Sequence, residues 1–335
     1  MSKIQKLGLG IVCFDGSEHI KNICAEIRNE VDYILVCLQK ISYHGEPIDE
    51  YDVNEVQNLK NVGLIDEILW YEPNLSYKNF TDEDFNNYKN NHILEVKNNN
   101  DLTDDIKKII VEKEEKLSNN DILNRMPRIL ETEKRNMMID RLQEVGCSHD
   151  IIIDSDEFYD YKQFKKAKEI YNNDDNIEIV YCQYVNYYRD YKHYMLWPWD
   201  SYVPFIANIK YRFFFEYGTF NKPSDPTRRY LIPKDDECKI FHTFIWNVIN
   251  MHHLSWIRLD IEKKMESWSS KKYFENVKGL KDKILNRYYN YRDGDNAIIM
   301  FNVPNYEACV KKLNRQYIHP KYRLDEEVSL ENKKW

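Results

Sequence analysis

Residues 150–157 read DIIIDSDE, an apolar run that ends in two aspartates at positions i and i+2. The run is typical of a buried strand, so Asp154 and Asp156 follow directly where that strand ends. Carboxylates at such a sheet edge are hard oxygen ligands for Mg²⁺ or Mn²⁺, and these ions bridge to substrate phosphates. The stretch therefore predicts a metal and diphosphate site, with acidic turn residues that merely cap a strand as the alternative.

This strand is the fourth in a series of apolar runs, after those at 7–14, 32–38 and 62–71. A helix with a regular apolar face separates the first two runs, and a weaker helical pattern at 53–59 precedes the third. Strands that alternate with single helices predict an α/β fold with a Rossmann-like, mostly parallel central sheet flanked by helices. Ligands then bind beyond the carboxyl ends of the strands. The apolar helix face is formed by Ile20, Ile23, Cys24, Ile27 and Val31.

Residues 74–125 interrupt this order as a polar insertion with one amphipathic helix near 106–117, and its charges are expected to face solvent. A helical pattern at 133–145 then leads into the fourth strand. Lys134, Arg135 and Asn136 stand at its start, and a cationic helix N-terminus is an anion site. Residues 263–335 are expected to form a helical C-terminal extension, with a helix near 273–287, a strand at 297–303 and a short helix at 306–313.

The composition narrows the class of protein. The chain has 335 residues, 42% of them hydrophobic and 14% aromatic, with a formal net charge of -8. It has no apolar run long enough to span a membrane and no apolar core of a secretory signal. Seven dispersed cysteines without a C-x-x-C pair predict buried thiols in a reducing compartment, and hence a cytoplasmic protein. The acidic balance disfavours a protein that coats nucleic acid by charge alone.

Three motifs in order resemble the GT-A-fold glycosyltransferases, especially family 2-like and family 17-like enzymes. They are the turn at 13–17 (CFDGS), the basic segment at 133–136 (EKRN) and the DSDE that follows the fourth strand. The segment MHHLSW at 251–256 also resembles the histidine that closes the metal site in many of these enzymes. The resemblance covers residues 5–72 and 125–262, and it implies a GT-A domain at 1–262, with a nucleotide-sugar half at 5–156 and an acceptor half at 157–262.

The resemblance also implies roles for individual residues. Asp154 and Asp156 would bind Mn²⁺ or Mg²⁺, with His253, or failing it His252, as the third ligand. The donor would be a nucleotide-diphosphate sugar, with a UDP-sugar preferred. Where the second strand ends, the chain reads Leu38-Gln39-Lys40 and lacks the acidic residue that family 2 enzymes often place near the base. The residues expected to bind the donor are Phe14, Asp15, Gly16, Lys134, Arg135, Asn136, Asp154 and Ser155.

An inverting sugar transfer needs a carboxylate base that takes the proton of the acceptor hydroxyl. Three candidates lie between the acidic pair and the histidines: Asp200, Asp225 and the acidic triplet that ends in Glu237, with Asp225 preferred. Trp197, Trp199 and Tyr202 could form a platform for a sugar ring or a base. Asp156→Ala is expected to abolish transfer and leave the fold intact.

The acceptor could be a glycan, a protein or a hydroxymethylated base in viral DNA. The DNA option predicts a local basic groove, for which the candidate arginines are Arg212, Arg228, Arg229 and Arg258. Two other functions stay open: a catalytically inactive GT-A-like carbohydrate-binding or scaffold protein, and a sugar nucleotidyltransferase. A haloacid-dehalogenase-like phosphatase is disfavoured because Phe158 stands where its D-x-D-x-T motif needs threonine.

Overall fold

The computed structural model describes residues 3–100, 102–196, 202–215, 224–231, 241–244, 248–267, 278–292, 295–298 and 307–312. The strands are β1 (Leu7–Cys13), β2 (Tyr33–Gln39), β3 (Glu67–Tyr71), β4 (His149–Asp154), β5 (Glu157–Tyr159), β6 (Ile179–Tyr188), β7 (Asp190–Leu196), β8 (Tyr202–Asn208), β9 (Arg212–Phe213), β10 (Tyr230–Leu231), β11 (Phe241–Thr243), β12 (Asn250–Trp256), β13 (Asn296–Ile298) and β14 (Glu307–Lys312). The helices are α1 (Ile20–Ile27), α2 (Glu50–Asn61), α3 (Asp82–Asn98), α4 (Asp104–Glu115), α5 (Asn119–Glu144), α6 (Tyr161–Asn172), α7 (Ile261–Ser267) and α8 (Leu280–Tyr289).

The protein is α/β, as predicted, but its large sheet is mixed rather than mostly parallel. Strands β3, β2, β1 and β4 lie side by side and are parallel. Beyond them β8 runs antiparallel to both β4 and β6, and β7 and β14 add further antiparallel pairs. The prediction extended the parallel order of the first strands too far, because pairing between strands distant in the chain leaves no local signal.

Two apolar layers cover the sheet. On one face, α1 and α6 pack through residues such as Ile23 and Phe164. On the other, α5 packs through Met138 and Leu142. A Cβ on Gly10 of β1 would lie 2.6 Å from Ile152 Cδ1 and 2.7 Å from Met138 Cε, so this glycine lets α5 approach the sheet closely.

Helix α5 begins at Asn119, well before the helix start predicted at Glu133. Its first turn carries a capping box in which Ser118 and Asp121 satisfy each other's backbone N–H groups. Lys134, Arg135 and Asn136 therefore lie in the second half of a 26-residue helix. The prediction that they form a cationic helix N-terminus is wrong, because the polar run at 119–125 concealed the true start.

The insertion and the C-terminal region also differ in part from the prediction. The helix predicted near 106–117 is confirmed as α4, whereas α3 has no strong apolar periodicity and was not predicted. The short helix predicted at 306–313 is wrong. That segment forms β14, whose Cys309 pairs with Leu196 of β7. The described part of 263–335 is thus helix and strand together, since pairing with β7 outweighs local propensity.

Candidate functional site

The site lies where two neighbouring parallel strands end. Strand β1 has β2 on one side and β4 on the other, and such a reversal of strand order opens a crevice at the carboxyl ends. The turn after β1 carries Phe14, Asp15 and Gly16, and the end of β4 carries Asp154 and Ser155. The Ser155 hydroxyl donates to the Asp15 carbonyl oxygen at 2.6 Å, so the two turns are tied together.

Asp154 is held by two arginines. Its Oδ1 accepts from Arg135 Nη2 at 2.6 Å, and its Oδ2 accepts from Arg228. Burial alone would raise the pKa of Asp154, but the two guanidinium groups outweigh it and hold that pKa well below its usual range. Asp154 is therefore held in the ionised form, and its side chain is 28% exposed to solvent.

Arg228 joins Asp154 to the neighbouring acidic groups. It donates two hydrogen bonds of 2.7 Å to Glu157, a bidentate pair in which both side chains are buried. Its Nε lies 3.5 Å from Asp225 Oδ2, and Asp225 Oδ1 accepts from the backbone and the hydroxyl of Thr227 at 2.8 Å. Burial raises the pKa of Glu157, and Arg228 offsets this only in part.

Asp156 is held by a second cationic pair, Arg258 and Lys264. Arg258 Nη2 donates to Asp156 Oδ2, and Lys264 Nζ lies 3.7 Å from the same oxygen. The same two cations lie 3.4 Å and 3.6 Å from Asp15 Oδ1. Burial would raise the pKa of Asp156, but Arg258, Lys264 and His253 together hold it well below the usual range. Arg258 and Lys264 thus bridge the two strand ends.

The two adjacent histidines of β12 face opposite ways. His253 Nε2 lies 3.7 Å from Asp156 Oδ1, and its Nδ1 is 2.6 Å from Asn186 Oδ1. His252 points into the core, where it stacks on Phe158 at 4.7 Å and contacts the Tyr187 hydroxyl at 2.8 Å. Burial lowers the pKa of His252 to about 4. The structure brings His253 to the acidic pair and leaves His252 outside the site.

A divalent ion fits this site by ligand type and spacing. Asp156, Glu157 and His253 each offer an atom within 4.8 Å of the others, and two oxygens and an imidazole nitrogen suit Mn²⁺ or Mg²⁺. The resemblance implied that Asp154 is a metal ligand, but both of its carboxylate oxygens pair with arginines. Glu157 offers the ligand atom in its place. Arg228 and Arg258 already pair with Glu157 and Asp156, so an ion would share these carboxylates with them.

The three residues of the basic segment of α5, Lys134, Arg135 and Asn136, contact different parts of the protein. Arg135 reaches Asp154, whereas Lys134 donates to Gln39 Oε1 at 2.7 Å, at the end of β2. Asn136 exchanges two hydrogen bonds with the backbone of Phe213 and is occupied there. Of these three residues of α5, Arg135 is the one that contacts the acidic pair.

Several predicted residues lie outside the described part of the chain: Asp200, Glu237, Trp197 and Trp199. Tyr202 is described and is buried among apolar side chains, so it offers no open platform for a ring. A cavity of about 220 Å³ lies elsewhere, beside Arg258, and is lined by Tyr288, Tyr289 and Glu262 as well.

Each of the four arginines proposed for a basic groove on DNA contacts a neighbouring group of the protein. Arg228 and Arg258 are buried and paired with the acidic groups of the site. Arg212 pairs with Asp140 at 2.7 Å, and Arg229 contacts Ser224. Arg228 and Arg258 therefore belong to the acidic site rather than to the protein surface.

Glu157 and Lys264 were not among the predicted site residues, and Arg258 was predicted only as part of a basic groove for DNA. Glu157 was visible as the fourth letter of DSDE, and the bare pattern did not show that its side chain turns toward His253. Arg258 and Lys264 follow the histidines by five and eleven positions, and lysine or arginine near a helix of a charged chain carries no distinctive signal.

The buried thiols are confirmed where they are described: Cys13, Cys24, Cys37, Cys147 and Cys182 are free and buried. Among the helices of the described residues, none combines the length and apolar character that a membrane span requires.

Comparison with known protein families finds no match, and comparison with curated proteins finds none either.

Proposed function

We propose that the protein is a GT-A-type glycosyltransferase that moves a sugar from a nucleotide-diphosphate sugar to a hydroxyl acceptor, with inversion. The observation that carries the proposal is the juxtaposition of Asp15 and Asp156, at the ends of β1 and β4, under the shared cations Arg258 and Lys264. Open α/β sheets bind nucleotides at this position. Buried cations beside fixed carboxylates suit a ligand that carries both phosphate and hydroxyl groups.

The donor would lie across the two strand ends. Phe14 and Asp15 would flank the base and ribose, Asp154 would accept from the ribose, and the diphosphate would lie toward the Arg258 side. A UDP-sugar is the proposed donor. Asp156, Glu157 and His253 would hold Mn²⁺ or Mg²⁺, which would supply positive charge to the departing diphosphate.

The proposed base is Asp225. Its carboxylate keeps 35% of its exposure and is oriented by Thr227 and Arg228, so it can meet an acceptor hydroxyl at the edge of the site. It would take the hydroxyl proton while the acceptor oxygen bonds to the anomeric carbon and the diphosphate leaves with the electron pair of its bond. Asp200 and Glu237 remain the other proposed bases, and a glycan, a protein or modified DNA the proposed acceptors.

The test is the release of nucleoside diphosphate from a panel of nucleotide sugars with Mn²⁺ and Mg²⁺, measured with and without candidate acceptors. We expect slow hydrolysis of one donor without acceptor, lost in Asp154→Asn. Donor binding without any release, with every acceptor class supplied, would favour the inactive carbohydrate-binding protein instead. Absence of both binding and release would refute the proposal.

A further inference from the structure

The acidic site is balanced by the protein's own cations. Four carboxylates, those of Asp15, Asp154, Asp156 and Glu157, meet four cations in direct ion pairs. The cations are Arg135, Arg228, Arg258 and Lys264. The formal charges of these eight groups cancel, and Arg135 and Arg228 also contact Glu131 and Asp225 outside the set, so each carboxylate that an incoming diphosphate meets is already paired with a cation of the chain.

Arg258 retains unused hydrogen-bonding capacity. Its side chain is only 3% exposed, and its Nε and Nη1 have no hydrogen-bond partner within the part of the chain that the structure describes. A buried guanidinium with two unpartnered donors is costly unless a ligand satisfies them. Nη1 lies beside the Cα of Gly16, at the turn after β1. The unpartnered Nη1 is therefore at the Arg258 side of the site, where the diphosphate is proposed to lie.

Lys264 is the more exposed member of the pair. Its Nζ lies 3.6 Å from Asp15 and 3.7 Å from Asp156, beyond ordinary hydrogen-bond distance, and its side chain is 20% exposed. An ammonium group on a flexible stem can turn from these carboxylates to a phosphate oxygen with little rearrangement. Lys264 thus supplies a second cation at the same edge.

We infer that Arg258 and Lys264 bind the donor diphosphate directly, so that diphosphate binding does not require a divalent ion. The inference rests on the proposed function and deepens it, because it separates binding, done by the chain's own cations, from any contribution of a metal to the transfer step. The two cations come from consecutive segments of the chain: Arg258 follows β12, and Lys264 lies on α7.

The experiment is titration calorimetry of the full chain with inorganic pyrophosphate and with UDP, each in excess EDTA and in Mn²⁺. We expect both probes to bind in EDTA. Lys264→Gln should weaken that binding by about tenfold or more, the loss of one charge-assisted contact. The matched control is Lys263→Gln: Lys263 pairs with Asp49 at 2.9 Å and with Asp52 at 3.5 Å, and not with the site carboxylates Asp15 and Asp156, so its loss should leave the affinity unchanged.

A second variant, Arg258→Lys, keeps the charge and removes the guanidinium fork, and should also weaken binding. Thermal melts of each variant separate lost contacts from lost folding. If Lys264→Gln fails to fold, Lys264→Arg replaces it, and this variant is expected to retain binding.

Binding that requires Mn²⁺, or equal affinities of Lys263→Gln and Lys264→Gln, would overturn the inference and leave the glycosyltransferase proposal intact. Absence of UDP binding in every condition, with pyrophosphate still bound in EDTA, would refute the nucleotide donor alone. Absence of binding of both probes in every condition would overturn both.

Discussion

The guanidinium of Arg258 lies against Gly16: an ideal Cβ built at position 16 would be 1.4 Å from Arg258 Nη1. Gly16 also has φ +77, the left-handed region that side chains rarely adopt. The turn after β1 therefore leaves room for a cation that lies far along the chain from it. This contact joins the predicted nucleotide turn to a residue that the sequence suggested only for a basic groove on DNA.

Gly16→Ala should reduce UDP binding by at least about tenfold, because the new methyl displaces Arg258 from the site. Left-handed strain alone should lower the free energy of unfolding by about 1–2 kcal/mol. Gly63→Ala is the matched control: Gly63 has φ +74, and a Cβ added there would meet nothing within 4 Å, so this variant carries the strain without the clash. Calorimetry and denaturant unfolding of both variants measure the two effects. Equal UDP affinities would contradict the role assigned to this contact.

Asp156→Asn should destabilise the fold as well as abolish transfer. The sequence alone suggests that the fold survives removal of this carboxylate, on the ground of relieved repulsion. In the structure Asp156 is 3% exposed and is the nearest carboxylate to the buried Arg258, which would keep only the longer contact with Asp15 at 3.4 Å, so its loss should cost about 3 kcal/mol. Glu266→Gln, which breaks an exposed pair with Lys281, should cost less than about 1 kcal/mol. Urea unfolding compares the two, and a similar small loss in both would argue against the buried pair.

His252→Gln should affect mainly the stability of the fold, and His253→Gln mainly the effect of Mn²⁺ on transfer. Loss of the His252 stack on Phe158 and of its contact with Tyr187 should lower the unfolding free energy by about 1–3 kcal/mol. His253 is 24% exposed and lies beside Asp156, so its replacement should change stability little and weaken the effect of Mn²⁺ on transfer. Melting curves and Mn²⁺ titrations measure these outcomes. A strong Mn²⁺ defect in His252→Gln alone would reverse the assignment of the ligand.

Two neighbours on β4 should give opposing pH dependence of stability. Burial raises the pKa of Asp150 to about 7, so protonated Asp150 stabilises the fold and stability falls as the pH rises from about 4 to about 7. Burial lowers the pKa of His149 to about 4, so stability rises with pH between about 4 and about 6.5.

The single variants should expose each slope. Asp150→Asn should leave a fold whose stability increases from about pH 4 to about pH 6.5, and His149→Gln one whose stability decreases over the same interval. Urea unfolding across this range measures both. Parallel profiles for the two variants would contradict the opposed shifts.

Local sequence patterns predicted the first part of the fold, because the spacing of apolar residues and the residues that form turns are properties of neighbouring positions in the chain. The strands β1, β2 and β4 and the apolar face of α1 are confirmed within a residue or two at most ends. The order of β8 between β4 and β6 could not be read in this way, since antiparallel pairing of strands distant in the chain has no local pattern. The same limit hid the pairing of β14 with β7.

For the candidate site, the amino-acid order alone was enough to mark Asp154 and Asp156 and the turn at Asp15 and Gly16, because an apolar strand followed by polar groups is a local signal. It could not choose between His252 and His253. Successive side chains of a strand point to opposite faces, so the choice follows only from the register of β12 against β5 and β6. Folding alone brings Arg258 and Lys264, far along the chain from Asp156, onto that carboxylate, because buried charges are stable only where opposite charges meet them.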